Sequence, residues 1–183
     1  MPRQRPKADG ADPHPFPQPE LDDPDSRSSG RLDVALSGSR VRVNRRLLRR
    51  VVSHALAAEG VRPRELTLAL LDPEEMRAAN CEFHGLDEAT DHLGFQYEAP
   101  PGEVSGDILI CPEVCVEQAV DYGETPRREL ARVAIHGVLH LCGWRDDHPS
   151  RRRRMRARED ELLAGLDLLP GIESWLKGGR HAG

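Results

Sequence analysis

Long apolar runs are missing from this sequence, and so is an excess of positive charge. No run approaches the roughly 18 apolar residues that span a bilayer, and residues 1–30 contain no apolar segment of the kind found in secretory signals. We therefore predict a cytoplasmic protein without membrane contacts. The formal net charge of −5 predicts that any contact with nucleic acid uses a local basic patch.

Aromatic residues and cysteines are also scarce. Only 4% of the residues are Phe, Trp or Tyr, which disfavours a broad base-stacking platform. Trp144 can stack on one base or cap a helix end. The cysteines are Cys81, Cys111, Cys115 and Cys142. Because they lie in apolar contexts and no signal peptide precedes them, we predict reduced, buried thiols instead of disulfides or a structural zinc site.

The composition divides the 183 residues into an arm, one domain and a tail. Residues 1–30 hold seven prolines and few apolar residues, a composition typical of disorder. We predict a disordered N-terminal arm over residues 1–30, one domain over residues 31–170 and a C-terminal tail over residues 171–183. The domain is long enough to bury a core of its own.

The hydrophobic pattern within the domain alternates between strand-like and helix-like segments. It predicts strand-like structure at 31–43 with a Ser-Gly-Ser turn inside it, and strands at 65–72, 90–98 and 106–112. It also predicts helices at 44–60, 73–83, 112–123, 126–143 and 151–166. This order favours an α+β fold, with a single mixed β-sheet packed with helices.

The stretch "IHGVLHLCGWRDDH" (135–148) predicts a metal site on a central helix and the turn that follows it. His136 and His140 are four residues apart, so their side chains lie on one helix face and can both bind zinc. Three protein ligands would leave a fourth position for water, the pattern of a catalytic zinc. The residues alone leave the third ligand open between Asp146 and His148.

One common class of zinc hydrolase lacks its general base in this motif. In H-E-x-x-H peptidases the glutamate beside the first histidine carries out that role. Gly137 occupies the position here. The sequence therefore disfavours a peptidase and predicts metal-assisted hydrolysis of another substrate.

Four segments together resemble one bacterial family. "HGVLHLCGW" resembles the H-G-x-L-H-L-x-G-Y signature of the YbeY family, the endoribonucleases called rRNA maturation factors. "TDHLGFQYE", "GDILIC" and "NCEFHG" are similar to its T-D-V-L-S-F-P, G-D-I-x-I-S and L-N-x-x-Y-R segments, in the expected order. The resemblance covers about residues 31–165. It implies a single α+β domain that holds one zinc ion and acts on RNA.

The resemblance also implies a specific task. It implies a zinc-dependent, single-strand-specific endoribonuclease that processes ribosomal RNA, notably the 3′ end of 16S rRNA, and takes part in ribosome quality control. Its partners would be ribosomal RNA and the ribosome or the small subunit. The alternative is a non-catalytic ribosome-assembly factor whose metal site is mainly structural. A metal-dependent hydrolase of some other substrate is a third hypothesis.

Three positions depart from the family pattern: His84 replaces an arginine, Gly94 a serine and Asp146 the third metal-binding histidine. Because Asp146 keeps the family spacing from His136, and carboxylate oxygen binds zinc well, we predict His136, His140 and Asp146 as metal ligands. His148 stays the alternative third ligand. We predict His136, His140 and His84 as catalytic residues, although a histidine lacks the guanidinium fork of the arginine that it replaces.

A basic run follows the metal motif directly. "RRRRMRAR" (151–158) contains six arginines that can meet RNA phosphates as charged forks. The alternative is a solvated helix face whose charge is partly balanced by the acidic residues at 159–161.

Overall fold

The computed structural model describes residues 30–36 and 39–169. Nearly all of the predicted arm and the whole predicted tail lie outside these residues, so both stay predictions. The elements of the described part are β1 (Arg31–Leu36), α1 (Arg45–Ala58), β2 (Arg62–Leu70), α2 (Pro73–His84), β3 (His92–Tyr97), β4 (Glu103–Ile110), α3 (Pro112–Tyr122), α4 (Pro126–Leu141) and α5 (Pro149–Asp167).

The four strands form one mixed sheet in the order β1-β2-β4-β3. β1 pairs with β2 and β2 with β4 in parallel, whereas β3 runs antiparallel to β4. Helices cover the sheet, which confirms the predicted α+β fold. Among the helices in residues 30–36 and 39–169, none is both long and apolar enough to span a lipid bilayer.

The strand-like structure predicted after the Ser-Gly-Ser turn is wrong. β1 ends at Leu36, and no strand follows within residues 39–44. Ser39 and the backbone N–H of Arg40 instead donate hydrogen bonds to the carboxylate of Glu113, at 3.2 and 2.7 Å. Asn44 then caps α1 by accepting a hydrogen bond from a backbone N–H in its first turn. Side-chain bonds of this kind compete with a strand ladder.

Helix α4 lies at the centre of the larger core and carries the metal motif. Ten of its sixteen residues are buried, packed against β4, α1, α3 and α5. The helix approaches the sheet closely at Gly137, where an added Cβ would lie 2.7 Å from Cγ2 of Ile108. Beyond Cys142 the chain turns back at Gly143, whose φ is +89°, a conformation that favours glycine. The sheet thus fixes the helix, and the turn brings the residues after it back toward the helix end.

The four cysteines are free thiols, as predicted. Cys111 and Cys115 are buried and Cys142 is half-buried, but Cys81 is exposed. The prediction was wrong for Cys81 because α2 buries the face that contains Met76 and Ala79, and Cys81 lies on the opposite side. Burial raises the pKa of the Cys142 thiol to about 11.

Candidate metal centre

His136 and His140 direct the same ring atom toward each other. Their Nε2 atoms are 2.9 Å apart. Nδ1 of His136 lies 2.7 Å from Oε1 of the buried Glu159, and Nδ1 of His140 lies 3.1 Å from the backbone oxygen of Trp144. Each Nδ1 therefore has an acceptor, which orients the ring and leaves Nε2 to bind a metal, an arrangement typical of metal-binding histidines.

His92 on β3 completes a cluster of three imidazoles. Its ring centroid is 4.7 Å from that of His136 and 6.1 Å from that of His140. One ligand atom from each residue can be chosen so that all three lie within 4.8 Å of one another. The group could hold a metal ion, and its donors suit zinc by their type.

His92 was not among the residues predicted from the sequence. Its only signal was a histidine at the place where the similar family segment, T-D-V-L-S-F-P, has valine. In the structure Nδ1 of His92 lies 2.9 Å from Oδ1 of Asp91, so this ring is also oriented by an acceptor. Burial by itself would raise the pKa of Asp91, but the hydrogen bond and charge of His92 outweigh it and hold that pKa at about 2.

Asp146 lies at the edge of this cluster. Its Oδ1 is 3.7 Å from Nε2 of His140, and its side chain is 40% exposed. The turn at Gly143 thus brings Asp146 back to the helix that carries the two motif histidines. The site offers four candidate ligands: His92, His136, His140 and Asp146. Whether Asp146 binds the metal stays a prediction.

His148, the alternative third ligand, has another role in the structure. It is the N-cap of α5, and its Nδ1 accepts a hydrogen bond from the backbone N–H of Ser150 at 3.3 Å. The same nitrogen lies 2.7 Å from Oγ of Ser150, and the residue is exposed. Capping orders the first turn of α5 and engages one of the two ring nitrogens that could bind a metal.

His84 lies beside the histidine cluster but is not part of it. It is the exposed last residue of α2, and it lines a cavity of about 420 Å³ together with His92 and His140. The buried Asn80 shapes this wall because its Nδ2 donates a 2.9 Å hydrogen bond to the backbone oxygen of Glu88. His84 can therefore contact a substrate that occupies the cavity beside the cluster.

The electrostatics of the site favour the neutral form of the His140 imidazole. Burial lowers the pKa of His140, and the neighbouring His136 lowers it further, while Asp146 opposes the change. A neutral ring is the form that binds a metal.

The arginine run on α5 divides into two parts. Arg158 belongs to the fold: its Nε donates a 2.8 Å hydrogen bond to Glu59, which also accepts one from Nε1 of Trp144 at 2.9 Å. The backbone N–H of Trp144 also donates a 3.0 Å hydrogen bond to the backbone oxygen of Leu139 in the last turn of α4, and its side chain packs against the larger core. Both contacts fit the predicted role at the helix end, and stacking on a base stays a prediction. Arg151–Arg154 are exposed, although Arg151 pairs with Asp147 at 2.9 Å. The exposed part of the run remains available for phosphates.

The family profile and the similar proteins all indicate the same family. The profile of the family described as Endoribonuclease YbeY matches residues 36–167. A protein of that name from Moorella thermoacetica is 39% identical over 133 residues, covering 66% of this chain and 85% of that protein. Another from Exiguobacterium sp. is 36% identical over 138 residues, covering 68% and 87%. The solution structure of TM1509 from Thermotoga maritima shares the fold, with a TM-score of 0.55 at 21% identity, over 81% of this chain and 94% of that one.

Proposed function

Since the chain belongs to the Endoribonuclease YbeY family, we propose that it is a zinc-dependent endoribonuclease that cleaves single-stranded RNA. The observation that carries the proposal is the pairing of Nε2 atoms on α4, with His136 and His140 each oriented through Nδ1. Following the resemblance, we propose ribosomal RNA as substrate, notably the 3′ end of 16S rRNA. The ribosome or its small subunit would be the partner. The protein would also take part in ribosome quality control, and it would act in the cytoplasm.

We propose that His136, His140 and Asp146 hold one zinc ion per chain. Three protein ligands keep one coordination position open, as catalytic sites require. A zinc ion in this place would supply Lewis-acid chemistry by polarising a phosphoryl oxygen of the RNA. Glu159 positions His136 through the 2.7 Å contact with Nδ1, and loss of such a partner weakens metal binding about 10–100-fold in other proteins.

The substrate would lie along the cleft beside these ligands. His92 lines both cavities beside the histidine cluster. Asp91 orients the His92 ring, so that Nε2 of His92 can face the reacting phosphate. His84 lines the larger cavity and would donate a hydrogen bond to the RNA strand. The exposed arginines at 151–154 would bind phosphates further along the strand.

The same cluster also supports the second candidate function, a ribosome-assembly factor that does not cleave RNA. His92 and Asp146 both lie close to the two motif histidines. If all four bound the metal, no position would remain for substrate, and the site would be of the closed, structural type.

The test combines cleavage with metal binding. Nuclease-free protein is incubated with a labelled single-stranded fragment of ribosomal RNA, with and without chelator, beside a His140→Ala variant purified in the same way. We expect cleavage by the wild type alone, abolished by chelator. Zinc affinity is then measured for His92→Ala. An open site keeps its zinc in this variant. Loss of zinc, together with RNA binding but no cleavage, would support the assembly factor instead.

A further inference from the structure

A second cavity, of about 170 Å³, lies against the metal centre. His92, His136 and Asp146 form part of its wall. A cavity of about 150 Å³ in another protein accommodates one benzene ring. This cavity therefore has room for the six-membered ring of one base, with the rest of that base at the exposed rim, and not for a stack of bases.

A buried carboxylate lines this cavity. Glu129 on α4 is only 3% exposed, and within the described part of the chain its Oε2 is the one buried side-chain oxygen or nitrogen without a hydrogen-bond partner. Its nearest cation is Nε of Arg132 at 3.8 Å, which is beyond hydrogen-bond distance. Buried polar atoms are nearly always paired, so an unpaired one beside a cavity indicates a missing partner.

The rim of the cavity suits a nucleotide. Tyr122, at the end of α3, lines it and is 56% exposed, and such a ring can stack on a base. The guanidinium carbon of Arg156 lies 5.6 Å from the centre of the Tyr122 ring. Arg152 and Arg156 both line the cavity and are exposed, so they can meet a phosphate at its mouth.

We propose that this cavity binds one nucleobase of the RNA strand and that Glu129 selects guanine. Burial raises the pKa of the Glu129 carboxyl, and the charges of Arg132 and Arg156 oppose this change. In its ionised form the carboxylate only accepts hydrogen bonds. The Watson–Crick edge of guanine presents two adjacent N–H donors. Each of the other bases presents an acceptor beside its donor, and this acceptor would face the carboxylate. The subsite rests on the proposed function, because the base would belong to the nucleotide next to the cleaved bond.

The test uses nucleoside 5′-monophosphates, which an endoribonuclease does not cleave. Binding of the guanosine, adenosine, cytidine and uridine forms to the full-length, zinc-loaded protein is measured by calorimetry. We expect the guanosine form to bind about tenfold more tightly than the others, within the range of a bidentate base contact. Glu129→Gln should remove this preference. Glu117→Gln, which makes the same change at an exposed position of α3, should keep it.

The outcomes separate this inference from the proposed function. Equal binding of the four nucleotides by the wild type would overturn the subsite even if the protein cleaves RNA, and so would a preference that survives Glu129→Gln. A preference for guanosine that Glu129→Gln removes supports the subsite even if no cleavage is found. If Glu129→Gln does not fold, Tyr122→Ala decides. It should weaken binding of every nucleotide, and unchanged binding would contradict the stacking role and with it the subsite.

Discussion

Helix α4 approaches β4 so closely at Gly137 that an added methyl group has no room. A Cβ at this position would lie 2.7 Å from Cγ2 and 3.2 Å from Cδ1 of Ile108, which is fully buried. Overpacking of this kind costs about 1–3 kcal/mol, while alanine is favoured over glycine in a helix by about 1 kcal/mol. Because the first contact is severe, we expect Gly137→Ala to lower the free energy of unfolding by about 1–2 kcal/mol.

A double-mutant cycle with Ile108→Ala isolates this contact. Ile108→Ala alone should cost about 2–5 kcal/mol through the cavity that it leaves. In the double variant the new methyl group enters that cavity, so the combined loss should fall short of the sum by about 0.5–3 kcal/mol. The measurement is urea unfolding of protein kept in chelator, so that metal binding does not contribute.

Gly94→Ala is the matched control for this cycle. Gly94 is exposed on β3, and an added Cβ would meet nothing within 4 Å. We expect it to be neutral or slightly stabilising, because alanine loses less backbone entropy than glycine on folding. Equal free energies of unfolding for Gly137→Ala and Gly94→Ala would contradict the close packing of α4 on β4. So would an effect of Gly137→Ala that simply adds to that of Ile108→Ala.

Three further predictions concern the metal centre and the arginine run. Zinc titration should show that Asp146→Ala loses most of its affinity for the metal while His148→Ala keeps it, and the reverse would assign His148 as the third ligand. Glu159→Gln should weaken zinc binding about 10–100-fold, whereas the same change at the exposed Glu161 should not. Equal zinc affinities of the two variants would show that Glu159 does not support metal binding. Replacing Arg151–Arg154 with alanine should weaken binding of all RNA sequences and flatten the salt dependence by up to about 0.7 per lost contact. An unchanged slope would mean that these arginines form only a solvated face.

Local patterns predicted the elements and the two motif histidines well. The spacing of His136 and His140 needs only helical periodicity. The predicted helix starts at 73 and 126 match those of α2 and α4, where Asp72 and Thr125 cap the first turns. These features depend on neighbours in sequence. The strand-like structure predicted after the Ser-Gly-Ser turn did not form, because Ser39 bonds to a side chain 74 residues away, which no local pattern contains.

Features that depend on long-range packing were not predictable. His92 joins the cluster only because β3 pairs with β4 and α4 packs across both. Arg158 looked like a phosphate-binding residue, yet Glu59, 99 residues earlier, binds its guanidinium. No sequence pattern distinguished Glu129, because an acidic residue in the first turn of a helix is common. Its burial beside a cavity is visible only in three dimensions.

The most direct test of the central claim is stepwise return of zinc to metal-free protein during cleavage of single-stranded ribosomal RNA. We expect no cleavage without metal, a rate that rises in proportion to added zinc, and a plateau at one zinc ion per chain. His140→Ala, measured in parallel, should show no response at any zinc level. Cleavage at the full rate by the metal-free wild type, or an equal response from His140→Ala, would contradict the claim that the histidine cluster carries the activity.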